Sequence, residues 1–368
     1  MNGPSTRQDP DGAPQGPRGA GSLRPGSGQA GPPPLISEPP RAKPRGGKIS
    51  IIGAAGRVGS NTAYALQLGR IGDEIALVDV AADAARGEAL DLTHGRAAVG
   101  GPRFVAGDER AVAGSDIVIV TAGLRRRPDE SRLRLIGRNA ALFREIVSSV
   151  RQLPLAPEAI LLVVTNPVDI LTYLAVAELG WPSRQTIGLG TVLDSLRFRS
   201  LLGEALGVDP SLIEGMILGE HGDSMVAAYS TLRYRSAGPQ SCGQGEPLSD
   251  LPGYSDDSAR QAFEATRTAG AECIRLKGGA GYAVGLAVRE VVAAVLGDTG
   301  AVLPISTVQE SGELRGVALS RPTRVGRSGW SEHPPIELSQ QEHRALVRSA
   351  EVLRETIALL QATPGGQP

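Results

Sequence analysis

This chain of 368 residues has few of the side chains on which several classes of protein depend. Aromatic residues make up only 3 % of it, too few for the stacking surfaces that bind single-stranded nucleic acids. The formal net charge is −1, so no overall field attracts nucleic acid or an anionic membrane surface. We therefore expect no nucleic-acid partner and no membrane partner.

Cysteines and long apolar runs are also scarce. The two cysteines, Cys242 and Cys273, lie far apart and predict no disulfide framework. No apolar run approaches the ~18 residues of a membrane-spanning helix, and the N-terminus lacks the apolar core of a secretion signal. No group of His, Cys, Asp and Glu has metal-ligand spacing. These absences favour a cytoplasmic protein without a bound metal.

The first 47 residues differ in composition from the rest of the chain. They are dense in Pro, Gly, Arg and Ser and contain almost no large apolar side chain. Such a segment cannot bury enough surface to offset the entropy lost on ordering, so residues 1–47 are predicted to be disordered. Its arginines could contact an acidic partner; a solvated tail or a misplaced start site are the simpler interpretations.

From Lys48 onward, apolar strands alternate with helical segments. The predicted strands are Ile49–Ile52, Glu74–Val80, Asp116–Thr121 and Ile160–Thr165, and the predicted helices are Arg57–Leu68, Asp83–His94 and Leu133–Leu153. Uniformly apolar strands that alternate with helices indicate a parallel sheet covered on both faces. We predict a first domain over residues 48–188.

The pattern changes after about residue 190. Long helices are predicted over Ser255–Lys277, Tyr282–Leu296 and Ser339–Leu360, with shorter strands between them. A chain of this length can bury the cores of two domains. We therefore predict a second, mixed α+β domain over residues 189–368, which would carry the catalytic groups.

A glycine-rich turn follows the first strand and opens the first helix. In Gly53-Ala54-Ala55-Gly56-Arg57-Val58-Gly59, the glycines would let the backbone approach a pyrophosphate on the helix N-terminus. Asp79 ends the second strand about 20 residues later, where an acid can accept hydrogen bonds from a ribose and repel a 2′-phosphate. The order strand, turn, helix, strand, acid predicts a Rossmann-type doubly wound parallel sheet that binds NAD.

Short-chain dehydrogenases also use the spacing GxxGxxG. They need a tyrosine followed four residues later by a lysine, and no tyrosine of this chain has that partner.

The candidate catalytic residues lie in the second half. His221, one of four histidines, lies in Gly219-Glu220-His221-Gly222-Asp223-Ser224. Asp194 and Arg197 share one face of a predicted helix. The carboxylate could orient the imidazole, and the guanidinium could hold a substrate carboxylate by two parallel hydrogen bonds. A surface ion pair and an unrelated loop histidine are the simpler interpretation.

An arginine-rich loop follows the strand that ends at Thr121. It carries Arg125, Arg126, Arg127 and Arg132, and the next strand ends at Asn166. Both segments would lie at the carboxyl edge of the sheet, where ligands of doubly wound folds bind. The loop predicts an anionic small-molecule substrate, although a basic loop by itself is usually just solvated.

Taken together, these motifs resemble the lactate/malate dehydrogenase family. The matching segments, in order, are GAAGRVG, VDV, DLTHG, TAGLRRRPDESR, TNPVD, LDSLRFR and GEHGDSMV. The resemblance runs from Lys48 to about Leu360. It implies NAD as the cofactor, a 2-oxo or 2-hydroxy acid as the substrate, and a homodimer or homotetramer.

The resemblance also implies a role for each matching residue. His221 would be the general acid/base, and Asp194 would hold its imidazole. Substrate would contact Arg197 at its C1 carboxylate, Arg132 on a mobile loop at its carbonyl, Arg126 at a distal carboxylate, and Asn166. The cofactor would lie near Gly53, Gly56, Arg57, Val58, Gly59, Asp79, Asn139 and Val164.

The substrate implied by the resemblance depends on the arginine loop. Arg126, the glycine turn and Met225 resemble the malate branch, so we predict that the protein interconverts (S)-malate and oxaloacetate with NAD. Glu130 resembles the lactate branch. Arg125 is expected to point to solvent; otherwise a more highly charged acid, such as phosphonopyruvate, would fit. Lactate and branched 2-oxo acids remain alternatives, and Ala280 would leave room for a larger substrate tail.

Two functions of other classes also fit parts of the sequence. An NAD-dependent glycosidase would need a metal site, which the sequence does not offer. A non-catalytic NAD-binding protein would not need the set formed by His221, Asp194, Arg132 and Arg197.

Of the remaining candidates, His94 would serve packing or a subunit contact. His333 and His343 are expected at the surface, and Trp181 and Trp330 are too isolated to form a cation cage.

Overall fold

The computed structural model describes residues 46–125, 127, 129–235 and 245–362. The predictions made for residues 1–45, for Arg126 and for Cys242 lie outside these ranges. Within them, every helix is too short or too polar to cross a membrane.

In the part of the chain that the structure describes, the centre of the fold is a sheet of nine strands. The strands are β1 Lys48–Ile52, β2 Glu74–Val78, β3 Arg103–Gly107, β4 Ile117–Val120, β5 Ile160–Val163, β6 Thr186–Gly188, β12 Ala301–Val308, β13 Ala318–Gly326 and β14 Gly329–Glu332. Their order across the sheet is β14-β13-β12-β6-β5-β4-β1-β2-β3. The first six strands along the chain are parallel, and the last three are antiparallel.

The order of the parallel strands places a ligand crevice between β1 and β4. From β1 the chain winds outward through β2 to β3, and then returns to the other side of β1 at β4. In an open α/β sheet, ligands bind outside the carboxyl ends of the strands where the winding reverses. The turns after β1 and β4 therefore form the two sides of the crevice.

Helices cover both faces of the sheet, as the apolar strands predict. One face packs on α1 Arg57–Gly69, α2 Ala82–Val99 and α7 Tyr282–Gly297. The other packs on α3 Arg132–Val150, α4 Val168–Ala177 and α8 Gln340–Ala362. Alternate residues of β1 enter the two cores: Ile49 and Ile51 enter one, and Ile52 the other. The predicted Rossmann-type sheet is thereby confirmed.

The second half of the chain adds a smaller layer with its own core. This layer contains α5 Val192–Leu206 and α6 Asp256–Lys277, and five two-residue strands: β7 Ile213–Glu214, β8 Ile217–Leu218, β9 Val226–Ala227, β10 Arg233–Tyr234 and β11 Glu246–Pro247. Phe198, Tyr229 and Phe263 pack edge to face, with ring centroids 6.1–6.4 Å apart. These aromatic contacts join α5 to α6 beside the sheet.

Several sequence predictions need correction here. The strands after residue 190 are not uniformly short: β12 has 8 residues and β13 has 9, and both extend the parallel sheet. The helix predicted to end at His94 continues to Val99, because Arg96, Ala97 and Ala98 favour helix. β2 ends at Val78, so Asp79 follows the strand.

His333, which was expected at the surface, is half-buried. Its ring stacks on Trp330 with centroids 4.9 Å apart, and Nδ1 lies 2.9 Å from Oγ1 of Thr323. Burial, followed by the charges of Arg321 and Arg184, lowers the pKa of His333 to about 4. Trp330 is not isolated either, because the Arg184 guanidinium lies 4.1 Å above its ring. This cluster is held by strands β12–β14, which the sequence analysis did not identify.

Candidate active site

The glycine turn after β1 has the shape that a bound dinucleotide requires. Gly53 has φ +88°, and a Cβ atom built there would lie 2.5 Å from the backbone nitrogen of Ala122. A Cβ at Gly59 would lie 2.4 Å from the carbonyl oxygen of Gly53. Only glycine allows the turn, β4 and the start of α1 to approach each other so closely.

The N-terminus of α1 and the Asp79 carboxylate lie beside the glycine turn. Together the three form a site that fits a dinucleotide, here called the dinucleotide cradle. No side chain caps the N-terminus of α1 at Gly56, so the first-turn N–H groups can bind a phosphate. Both carboxylate oxygens of Asp79 accept backbone hydrogen bonds, from Ala55 at 3.0 Å and Ala81 at 2.9 Å. Its carboxylate is thus held beside the turn, where a ribose hydroxyl could donate to it.

Replacing Gly53 with alanine tests this cradle. The unfavourable φ and the close approach to Ala122 are expected to lower the free energy of unfolding by at least ~1–2 kcal/mol. The turn must also move, so NADH should bind more weakly, as measured by NADH fluorescence titration. Gly87→Ala is the matched control, because a Cβ at this exposed helical position meets nothing within 4 Å. Equal NADH affinity in both variants would contradict the assignment.

His221, Asp194 and Arg197 meet as the sequence predicts. Asp194 lies in the first turn of α5 and is only 1 % exposed. Its Oδ2 lies 2.5 Å from Nδ1 of His221, and its Oδ1 accepts a hydrogen bond from Arg197 at 3.0 Å. One carboxylate therefore orients both groups. With Nδ1 occupied, Nε2 is the imidazole nitrogen that can exchange a proton with a substrate.

The charges around the pair favour the ionised forms of both partners. Burial acts to lower the pKa of His221, but the charge and hydrogen bond of Asp194, together with the charge of Asp169, raise it above its ordinary value. Burial acts to raise the pKa of Asp194, but His221 and then Arg197 bring it below its ordinary value. An imidazolium is thus stabilised at the point where an imidazole would accept a proton.

The loop that carries His221 is held by three neighbouring elements. Gly219 exchanges two backbone hydrogen bonds of 2.9 Å with Ser320 of β13. The backbone N–H of Glu220 donates to Oγ of Ser349 in α8 at 2.8 Å. The backbone N–H of His221 donates to Asp169 of α4 at 2.7 Å. A loop fixed from three sides can present its histidine in one position.

Arg132 reaches this loop through two acidic side chains. Its guanidinium donates to Asp223 at 3.1 Å and lies 3.6 Å from Glu220. The resemblance implied a position on a mobile loop, but Arg132 is the first residue of α3, which Ser131 caps. The Ser131 hydroxyl stabilises a helix start there. Arg132 thus contacts the loop that carries His221 through the side chains of Asp223 and Glu220.

Asn139, Val164 and Asn166 lie near the carboxyl ends of β4 and β5. Asn139 is buried in α3, and its Oδ1 accepts a hydrogen bond of 2.8 Å from the backbone of Leu124. Val164 and Asn166 follow β5, and Asn166 is exposed and precedes a cis peptide bond to Pro167. Arg125 is exposed, as expected.

Within the arginine loop, Glu130 holds the backbone of Arg127 and the side chain of Arg138. Glu130 is 8 % exposed and accepts hydrogen bonds from the backbone of Arg127 at 3.0 Å and from Arg138 at 2.7 Å. The loop's far end is therefore tied to α3.

The sequence analysis missed Asp169, Ser306 and Ser349 as supports of the His221 loop. Asp169 did leave a signal: it is the one acid in the apolar run Val168-Asp169-Ile170-Leu171, and buried acids need a partner. Ser306 and Ser349 left none, since isolated serines are common in strands and helices.

Comparison with known proteins follows the two halves of the chain. A family model described as the NAD binding domain of lactate/malate dehydrogenase matches residues 47–188. A second, described as the alpha/beta C-terminal domain of lactate/malate dehydrogenase, matches residues 191–363. The two matches cover both the dinucleotide cradle and the His221 cluster.

Individual relatives point the same way. An L-lactate dehydrogenase of Clostridium botulinum (strain Hall) is 40 % identical over 311 residues, covering 84 % of this chain and 96 % of the relative. An L-lactate dehydrogenase of Synechococcus sp. (strain JA-3-3Ab) is 41 % identical over 312 residues, covering 84 % of this chain and 98 % of the relative. The ligand-bound crystal structure of the minor L-lactate dehydrogenase from Enterococcus mundtii gives a TM-score of 0.79 at 32 % identity, covering 87 % of this chain and 100 % of that one.

These comparisons confirm the family and leave the predicted malate branch unconfirmed, because these relatives carry the name L-lactate dehydrogenase. The glycine turn, the cradle and the His221 cluster lie within the matched segments. The chain therefore belongs to the lactate/malate dehydrogenase family and is an NAD-dependent oxidoreductase.

Proposed function

We propose that this protein interconverts L-lactate and pyruvate, or a closely similar pair of 2-hydroxy and 2-oxo monocarboxylic acids. Support comes from the names of its relatives and from Glu130, which resembles the lactate branch. The main support for the reaction itself is that His221 and Arg197 both contact the buried carboxylate of Asp194. In this proposal residues 48–188 hold the cofactor, and residues 189–368 supply the acid/base.

The proposed chemistry divides between cofactor and protein. Bound NAD supplies the acceptor for the hydride that leaves C2 of the hydroxy acid. His221 takes the hydroxyl proton on Nε2, and Asp194 stabilises the imidazolium that results. Arg197 binds the substrate carboxylate, and Arg132 supplies positive charge to the carbonyl oxygen in the reverse direction. Asn166 contacts substrate beside the cofactor.

Malate and oxaloacetate are the second candidate pair, because of Arg126. Its position in the arginine loop matches the residue that is arginine in the malate branch, and a guanidinium there would pair with a second carboxylate. Branched 2-oxo acids and phosphonopyruvate are further candidates of the same reaction class.

A substrate comparison separates these candidates. We expect NADH oxidation by the purified protein to show a higher kcat/KM with pyruvate than with oxaloacetate. The reverse order would favour the malate pair, and Arg126→Gln should then move the preference toward pyruvate. The loss of a desolvated charge pair costs ~2–5 kcal/mol, so that change would be large. NADH binding without oxidation by any 2-oxo acid would contradict the proposed enzyme and favour a non-catalytic role.

We further propose an assembly of identical subunits, a homodimer or homotetramer, as the resemblance implies. Large apolar side chains are exposed on two helices that pack together: Tyr64 and Leu68 on α1, and Tyr282 and Leu286 on α7. Burial of such side chains favours association. Analytical ultracentrifugation would measure the subunit number, and a monomer at micromolar concentration would contradict this proposal.

A further inference from the structure

A second buried carboxylate supports the histidine from behind. Asp169 lies at the start of α4 and is only 3 % exposed. Its Oδ2 accepts a hydrogen bond of 2.7 Å from the backbone N–H of His221. Its Oδ1 accepts one of 2.6 Å from Oγ of Ser306 in β12. Three segments distant in the chain therefore meet on one carboxylate.

The two carboxylates act on different parts of His221. Asp194 holds the imidazole at Nδ1, whereas Asp169 holds the backbone at the N–H. The position of the Cα atom determines how far the imidazole can reach. Loss of the backbone contact would therefore let the ring move while its contact with Asp194 remained possible.

The charged groups around Asp169 couple it to the proton on His221. Glu220 and His221 face it from the loop, Ser306 faces it from β12, and Asp194 and Arg197 face His221 from α5. Burial raises the pKa of Asp169 to about 7, while Ser306 and His221 act against that rise. In its ionised form, which predominates above about pH 7, Asp169 favours the imidazolium of the adjacent His221 by its negative charge.

We propose that Asp169 is a positioning residue for the reaction, which anchors the backbone of His221 from the protein interior and adds a second negative charge that stabilises the imidazolium. This role rests on the proposed function of His221 as the proton carrier. It goes beyond the pairing of His221 with Asp194, because the contact is to the backbone and comes from α4, in the cofactor-binding half.

Two variants separate the anchor from the charge. In Asp169→Asn the amide oxygen can still accept from the His221 N–H, and the amide NH₂ can donate to the Ser306 hydroxyl. This variant keeps the anchor and removes the charge. Asp169→Ala removes both. Asp83→Asn is the control, since it removes an exposed acid of α2.

The expected results differ in kind. Asp169→Ala should reduce kcat about 10²-fold, because a displacement of about 1 Å at a reacting group costs that much, while NADH affinity is unchanged. Asp169→Asn should lose no more than roughly tenfold at neutral pH. Its pH profile should nevertheless move. Removing a negative charge lowers the pKa of His221. Reduction of a 2-oxo acid needs the imidazolium, so as the pH is raised, kcat for this reduction should begin to fall at a lower pH in Asp169→Asn than in the wild type.

A direct measurement of the histidine makes the test independent of turnover. NMR titration of labelled histidines, with His221→Asn used to assign the signal, should show a lower pKa for His221 in Asp169→Asn than in Asp83→Asn. An unchanged His221 titration would overturn the charge role. Wild-type kcat in a folded Asp169→Ala would overturn the anchor role.

Two further outcomes of these experiments need separate treatment: an Asp169→Ala variant that does not fold, and a wild-type protein that reduces no 2-oxo acid. If Asp169→Ala does not fold, Asp169→Leu replaces it, because leucine fills a similar space and has no side-chain acceptor for the His221 N–H. Wild-type kcat in that variant would overturn the anchor role. If the wild type reduces no 2-oxo acid, the proposed function fails, and the NMR titration still decides whether Asp169 acts on His221.

Discussion

Replacing His221 with asparagine is expected to reduce kcat about 10²–10⁴-fold, the usual contribution of a positioned acid/base. An asparagine amide can occupy the space beside Asp194, but it cannot carry a proton between a substrate hydroxyl and solvent at neutral pH. Asp194 would also keep Arg197 as a partner, so the fold around the site should survive. Steady-state NADH oxidation with the best 2-oxo acid substrate measures the effect.

Cofactor binding is the internal control for this variant. The dinucleotide cradle is built from the turns after β1 and β2, whereas the hydrogen bonds of His221 go to Asp194 and Asp169. NADH should therefore bind His221→Asn with wild-type affinity. The matched variant His94→Asn, at an exposed position of α2, should keep full turnover. Turnover at the wild-type rate in His221→Asn would remove His221 from the reaction.

Replacing Arg197 with lysine is expected to lower kcat/KM about 10- to 200-fold. Lysine keeps the positive charge but has no planar fork, so one of two parallel hydrogen bonds to the substrate carboxylate is lost, at ~1.5–3 kcal/mol. The carboxylate is bound equally in the ground state and the transition state. The change should therefore appear mainly as a higher KM.

Whether Arg197→Lys changes KM or kcat shows whether Arg197 acts on the substrate carboxylate or on Asp194. Arg197 also donates to Asp194 at 3.0 Å, so it could act on His221 through that carboxylate instead. In that case kcat would fall and KM would stay near its wild-type value, which contradicts substrate binding. Arg144→Lys, which alters an ion pair with Glu178 on a distant surface, is the control and should leave both constants unchanged.

Local chemistry was sufficient to predict the dinucleotide cradle. Gly53 and Gly59 are required by backbone geometry within a single turn, and Asp79 follows the neighbouring strand. These features depend on residues close in sequence and on strand pairing, which hydrophobic patterns reveal. For the same reason the strands β1, β2, β4 and β5 were predicted with only small errors at their ends.

The His221 cluster was predicted in part. The helical spacing of Asp194 and Arg197 placed them on one face, and the resemblance supplied the link to His221, 27 residues from Asp194. The contact between Asp169 and His221 was not predicted, because 52 residues separate them and nothing local specifies their approach. Ser306, 137 residues from Asp169, was still less accessible to sequence reasoning.

The amino-acid sequence alone determined the types of element, the glycine turn, the acid that follows β2, and the family to which the chain belongs. The tertiary structure decided which carboxylates surround His221, which strands extend the sheet, and that His333 stacks on Trp330. The reason is physical. Turns and amphipathic patterns follow from neighbouring residues, whereas the burial of an acid or an imidazole depends on segments that meet only when the whole sheet has packed.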